Sequence, residues 1–119
     1  MITIYNNFRT TISAMVEWFH PNCPDGGDWE KKGWWVIQPQ QTAIVWGGDH
    51  NAVNRFWYGY VHSIDGAQWT GDFPETVPTR AFQWCEHVAD TTSRTVRMVE
   101  HDALDSGPNW VWMFGNVVH

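Results

Sequence analysis

Two tryptophans stand side by side in the stretch EKKGWWVIQPQQTAIVW, residues 30–46. In a β-strand, neighbouring side chains point to opposite faces of the sheet. Trp34 and Trp35 therefore need cover on both faces at once, which an antiparallel sheet with one wet face does not give. NRFWYGYVHSI raises the same problem, with Phe56, Tyr58, Tyr60 and His62 opposite Trp57, Gly59 and Val61. Three arrangements answer it. Segments such as 65–78 fold over the outer face, a second subunit packs there, or some indoles stand out as a binding platform. Ten tryptophans against a single leucine, Leu104, also make the indole an ordinary core filler in this chain.

The rest of the chain is dominated by period-two alternation. TTISAMVEWF sets Ile12, Ala14, Val16 and Trp18 against Thr11, Ser13, Met15 and Glu17, which reads as a half-buried strand. ITIYNNFR reads as a short strand ending in an Asn-Asn turn, so residues 2–18 are expected to form a hairpin. HPNCPDGGD is a loop, TAIVW a strand, GGDHN a turn, and DGAQWTGDFPETVP a loop carrying Trp69 and Phe73. TRAFQWCEHVA is ambiguous. Ala81, Trp84, Cys85 and Val88 recur at helical spacing behind a capping Thr79, yet the segment also fits an irregular strand. SRTVRMVEH alternates again, and NWVWMFGNVV places Trp110, Trp112 and Phe114 on one face. Seven to eight short strands with regular turn signals predict an all-β fold. The expected form is a single domain over 1–119, an antiparallel β-sandwich or flattened barrel.

Thirteen acidic against seven basic residues give a net charge of −6, which repels phosphate backbones and disfavours nucleic acid as a partner. No Lys/Arg run suits an anionic membrane surface, and no apolar run exceeds four or five residues, so no transmembrane segment is expected. MITIYNNF has no signal-peptide pattern; the chain reads as soluble, its compartment open. Cys23 and Cys85 fit two readings equally. Bridged, they would close a loop of about 60 residues worth about 4 kcal/mol; reduced, they would suit the cytosol.

Sugar rings have an apolar C–H face and a rim of hydroxyls, so a site for them needs an indole and polar groups together. DGAQWTGDFP supplies Trp69 with Asp65, Gln68, Thr70 and Asp72. CPDGGDW repeats the idea with Asp25, Asp28 and Trp29, and WGGDHN with Trp46, Asp49, His50 and Asn51. Asp, Asn and Gly are also plain turn formers. No cofactor is expected. The acidic loops offer weak ground for Ca²⁺, since DGGD has two carboxylates and lacks the twelve-residue EF-hand pattern. His62, His87, His101 and His119 show no metal-binding spacing, and no C-x-x-C occurs. CEHVAD places Cys85, His87 and Asp90 within reach of a Cys/His nucleophile if the segment is a strand. A buried or bridged cysteine beside a surface histidine is the simpler reading. No nucleophile elbow or phosphate-cradling glycine loop is present.

Gly33-Trp34-Trp35, Pro39, the aromatic strand FWYGYVHSIDG, Trp69-Thr70-Gly71, AFQWC and the closing GPNWVW together resemble a family of small bacterial tryptophan-rich domains of unknown function. The likeness spans about residues 4–115. It departs at Gln40, where the family pattern would have glycine after Pro39. The resemblance implies a compact β-domain, often in exported or surface settings, and brings no catalytic residues with it.

The leading expectation is a non-enzymatic, lectin-like binding module. Trp69 would stack on a glycan, Asp65, Gln68 and Asp72 would bind its rim, and Trp29 and Trp46 are further candidates. One alternative is a protein-interaction or homo-oligomeric domain that uses the doubly apolar strands 34–37 and 56–61. Another is an enzyme built on Cys85 and His87 or on histidine-held metal.

Overall fold

The computed structural model describes residues 1–50, 55–103 and 107–115. Its regular elements are ten strands: β1 (Ile2–Asn6), β2 (Ile12–Phe19), β3 (Trp29–Ile37), β4 (Thr42–Trp46), β5 (Phe56–Ser63), β6 (Gln68–Trp69), β7 (Phe73–Val77), β8 (Phe82–Cys85), β9 (Arg94–Asp102) and β10 (Trp110–Phe114). No helix occurs among the described residues, and TRAFQWCEHVA contains the short strand β8 at Phe82–Cys85, followed by a turn. The all-β expectation holds. The larger sheet is antiparallel, ordered β7-β9-β5-β2-β3-β8, with the short β6 beside β5. The smaller runs β10-β1-β4, and its β1–β10 pair is parallel.

Three local expectations are corrected, two of them in the connections. Residues 2–18 are not a hairpin, because β1 and β2 lie in different sheets. Buried Asn6 turns the chain between them. Its Nδ2 donates to the carbonyls of Thr10 and Ile37, and its Oδ1 accepts the Phe8 N–H. Residues 65–78 are not a bare loop either. They contain β6 and β7, and Phe73–Val77 pairs with β9 from Met98 back to Arg94. Pro74 masks that strand in the sequence, and β7 tolerates it as an edge strand.

The paired tryptophans find cover on both faces. Trp35 joins the cluster between the two sheets, where Ile12, Ala14, Val16 and Trp18 meet Ile2, Ile4, Trp112 and Phe114. Trp34 joins the opposite cluster with Met15, Tyr60, Val77, Phe82, Val96 and Met98. That second cluster exists because the larger sheet curls. Its end strands β7 and β8 approach each other across side chains of β3. The Trp34 Nε1–H donates to the Pro78 carbonyl at 2.9 Å, and Lys31 bonds residues on both sides of the gap. β2 is consequently a central strand buried on both faces, not half-buried. Gly33 permits the curl where β2, β3 and β8 lie side by side. A Cβ there would sit 2.8 Å from the Met15 Cβ and 3.1 Å from the Phe82 ring.

Candidate functional site: the acidic mouth of the curled sheet

Antiparallel partners that stand directly opposite share a face of the sheet. Across the concave face the register aligns Trp84 with Lys31, Lys31 with Glu17, Glu17 with Tyr58, and Tyr58 with Glu100. This row carries three charged residues on a surface whose next row, Phe82, Gly33, Met15 and Tyr60, is apolar. The curl brings Glu75 of β7 and Glu86, just past β8, to the same place. Carboxylate oxygens of Glu17, Glu75 and Glu86 lie within 4.8 Å of one another.

A pocket of about 240 Å³ opens over these groups, walled by Trp29, Tyr58, Phe73 and Met98. The rings form one continuous wall. Trp29 and Tyr58 meet edge to face at 5.4 Å between centroids, and Tyr58 and Phe73 at 4.9 Å. The Tyr58 hydroxyl donates to Glu100 at 3.0 Å. Burial, then that bond and the charges of Glu100 and Glu17, push the phenol up to about 12.

Lys31 is fully buried, and its ammonium is saturated. Nζ donates to Glu75 Oε1 at 3.2 Å, to the Thr76 carbonyl at 2.5 Å and to the Glu86 carbonyl at 2.9 Å. Glu17 is in the opposite condition. It is 5% exposed, and its Oε1 has no hydrogen-bond partner. Burial above all, then the hydrogen bond with Glu75 and the charges of Glu75 and Glu86, raise its carboxyl to about 10, against a weaker opposing pull from Lys31. Burial and the neighbouring carboxylates thus favour the protonated form of Glu17.

The structure scatters the residues singled out by sequence. Trp29 lines the acidic mouth. Trp69 lies on the far side of the larger sheet, half-buried against the core between the sheets. Its Nε1–H donates to the Gly115 carbonyl at 3.1 Å, and its ring meets Phe8 edge to face at 5.0 Å. Asp65 binds Arg9 at 2.9 Å and also accepts from Ser63 and Thr10. The Ser63 hydroxyl, more than the Arg9 charge, holds its carboxyl below the usual range. Gln68 is exposed in the β5–β6 ladder, and Asp72 is exposed with its carbonyl near Arg97. Trp46 packs against Trp18 and Trp57, at the edge of a hollow whose Glu30 is already bonded to His20 and Gln83. Asp28 accepts the Asn22 N–H within its own turn. Asn51 and His119 lie outside the described residues. None of the ten indoles is fully exposed; Trp18, Trp57 and Trp112 are buried and the other seven are half-buried.

Cys23 and Cys85 form a disulfide with Cα atoms 5.8 Å apart, which removes the thiolate that a Cys85/His87 nucleophile requires. Asp90 is held by Arg80 and Thr92. Sequence reasoning passed over Glu17, Lys31, Tyr58, Phe73, Glu75 and Glu86. The available signal was Glu17, the one charged residue in the largely apolar strand ISAMVEWF; Lys31 was masked by Glu30 and Lys32 on either side of it.

No family model, curated protein or solved structure matches the chain.

Proposed function

We propose that the chain is a non-enzymatic binding module that takes a small glycan-type ligand in the acidic mouth. The supporting observation is that an aromatic wall and convergent carboxylates share one open pocket. The C–H face of a sugar ring suits Trp29, Tyr58 and Phe73, and its hydroxyls suit Glu75 and Glu86 as acceptors. Nearby Lys31 spends its N–H groups on the protein, which leaves the mouth unsuited to anionic ligands. At about 240 Å³ the pocket suits one ring rather than a drug-sized molecule, for which pockets run to about 300–1,000 Å³. Glycan-array binding of the wild type, Phe73→Ala and Trp69→Ala tests this. Phe73 is 39% exposed, so its loss should leave the fold intact and abolish binding. Loss of binding in a folded Trp69→Ala alone would move the site to the β6 segment. An array on which the wild type binds nothing would sink the glycan reading.

A second reading is favoured by the outer face of the smaller sheet. Val111, Met113 and Ile44 are each more than half exposed there, and Thr3 pairs with both Val111 and Ile44. Such a patch suits self-association. Light scattering of the wild type against Val111→Lys is the check, and a wild-type monomer at high concentration would remove this reading.

A further inference from the structure

We propose that Glu17, Glu75 and Glu86 form a binding site for a hard divalent cation of the Ca²⁺ class at the floor of the acidic mouth. The geometry carries it. Three carboxylates from three separate parts of the chain converge with oxygens within 4.8 Å of one another. Ca²⁺ takes oxygen ligands at about 2.3–2.6 Å, so one ion can touch oxygens on opposite sides of it that are about 4.8 Å apart. An all-oxygen donor set selects Ca²⁺, Mg²⁺ or Mn²⁺ over softer metals. Mg²⁺ demands nearly regular octahedra at about 2.0–2.1 Å, whereas Ca²⁺ accepts irregular cages completed by water. This pocket is open and roomy enough for such waters.

A second observation points to a ligand independently of the clustering. Glu17 is 95% buried, lines the pocket, and leaves Oε1 without any hydrogen-bond partner. A buried polar atom in that condition is costly, and a bound ion is one of the few groups that would satisfy it. Lys31 does not fill the role. Its three bonds go to Glu75 Oε1 and to two backbone carbonyls, none to Glu17. Once an ion displaces the Glu17 proton, three carboxylates against one ammonium leave two negative charges, matching a divalent ion. The His20, Cys23 and Glu30 cluster offers no comparable site, because Cys23 is in the disulfide.

The test uses the intact, oxidised chain stripped with chelator. Calorimetric titration with CaCl₂ should show one ion per chain, and Tb³⁺ should give luminescence sensitised by the indole of Trp29, quenched on adding Ca²⁺. Glu17→Gln keeps the side-chain shape and should weaken Ca²⁺ by at least about tenfold, as should Glu86→Gln, since affinity follows ligand charge count. Asp72→Asn, outside the mouth, should bind like the wild type. If Glu17→Gln fails to fold, Glu86→Gln carries the comparison. The absence of any wild-type heat or Tb³⁺ signal overturns the proposal, as does wild-type affinity in folded Glu17→Gln and Glu86→Gln. Ca²⁺ uptake without sugar binding would keep this site and discard the glycan reading.

Discussion

Lys31 of β3 donates to the carbonyl of Thr76 at 2.5 Å, across the gap between the two ends of the larger sheet. Its other bonds reach Glu75 on the same side and the Glu86 carbonyl on the opposite side. A lone buried ammonium thus does the work that a β7–β8 ladder would do in a closed barrel. Replacing it by Met keeps much of the volume but strands two carbonyls and the partly buried Glu75. Breaking a buried pair from one side typically loses about 3–5 kcal/mol. Lys31→Met is expected to fall in that range by urea unfolding. A loss below about 1 kcal/mol, the scale of surface ion pairs, would show that the seam does not depend on Lys31.

The disulfide ties the loop before β3 to the end of β8, one residue from Glu86. Cys23 and Cys85 are 62 residues apart, and a loop of that length is worth about 4 kcal/mol in the chain-entropy model. Reduction should lower stability by about that amount, read as a drop in the urea midpoint with dithiothreitol. It should also weaken any ligand of the mouth, because Glu86 Oε1 accepts the Asp28 N–H from the tethered loop at 3.4 Å. Ligand affinity unchanged in reduced but folded protein would separate the bridge from the site.

One buried group, Glu17, and one half-buried group, His101, set opposite limbs of the stability–pH curve. The Glu17 carboxyl is raised from 4.5 to about 10, so above its ordinary value the unfolded chain releases a proton that the folded chain keeps. Its contribution is full at low pH and is lost as pH rises between about 4.5 and 10. Lys31, Tyr58, Glu75 and Glu86 face it, and only Lys31 opposes the shift. His101, stacked on Trp110 at 3.3 Å, is lowered from 6.5 to about 4, chiefly by burial and then by the charge of His50. Its contribution is full above 6.5 and is lost as pH falls toward about 4. Melting temperature in chelator should therefore fall toward both extremes. Glu17→Gln should flatten only the alkaline limb and His101→Gln only the acid one. Parallel curves for wild type and Glu17→Gln would show that this carboxyl ionises normally in the fold.

The strands were largely legible in the sequence because their alternation is local. Val96 and Met98, or Trp110, Trp112 and Phe114, declare a buried face without knowledge of their neighbours. The curl was not legible. It depends on side chains of β3 meeting β7 some 45 residues later, and on Gly33 fitting between Met15 and Phe82. Without the curl, Glu17 reads as a solvent-facing glutamate and Trp34 as a surplus ring. The site was missed for the same reason: its carboxylates come from positions 17, 75 and 86. The unexpected Gln40 does have a structural reading. It sits at φ 66°, where glycine is favoured, and its side chain accepts the Tyr5 hydroxyl at 2.5 Å.

Trp69 separates the two surfaces on which stacking can be imagined. Standing free, as the sequence suggested, it could be truncated without harm to the fold. In the structure its ring is wedged on Phe8 and near Phe114, and its N–H is spent on Gly115. Removing a fully buried tryptophan costs about 3–5 kcal/mol, and a half-buried one should fall somewhat short, at about 2–3 kcal/mol. Trp69→Ala is therefore expected to unfold at lower urea concentration while retaining whatever ligand binding the folded fraction shows. Phe73→Ala should do the reverse, with near-normal stability and lost binding, because its ring is exposed at the mouth. Running both variants through the same urea series and the same array makes the comparison internal. A stable Trp69→Ala that no longer binds, beside a Phe73→Ala that still does, would put recognition back on the β6 segment.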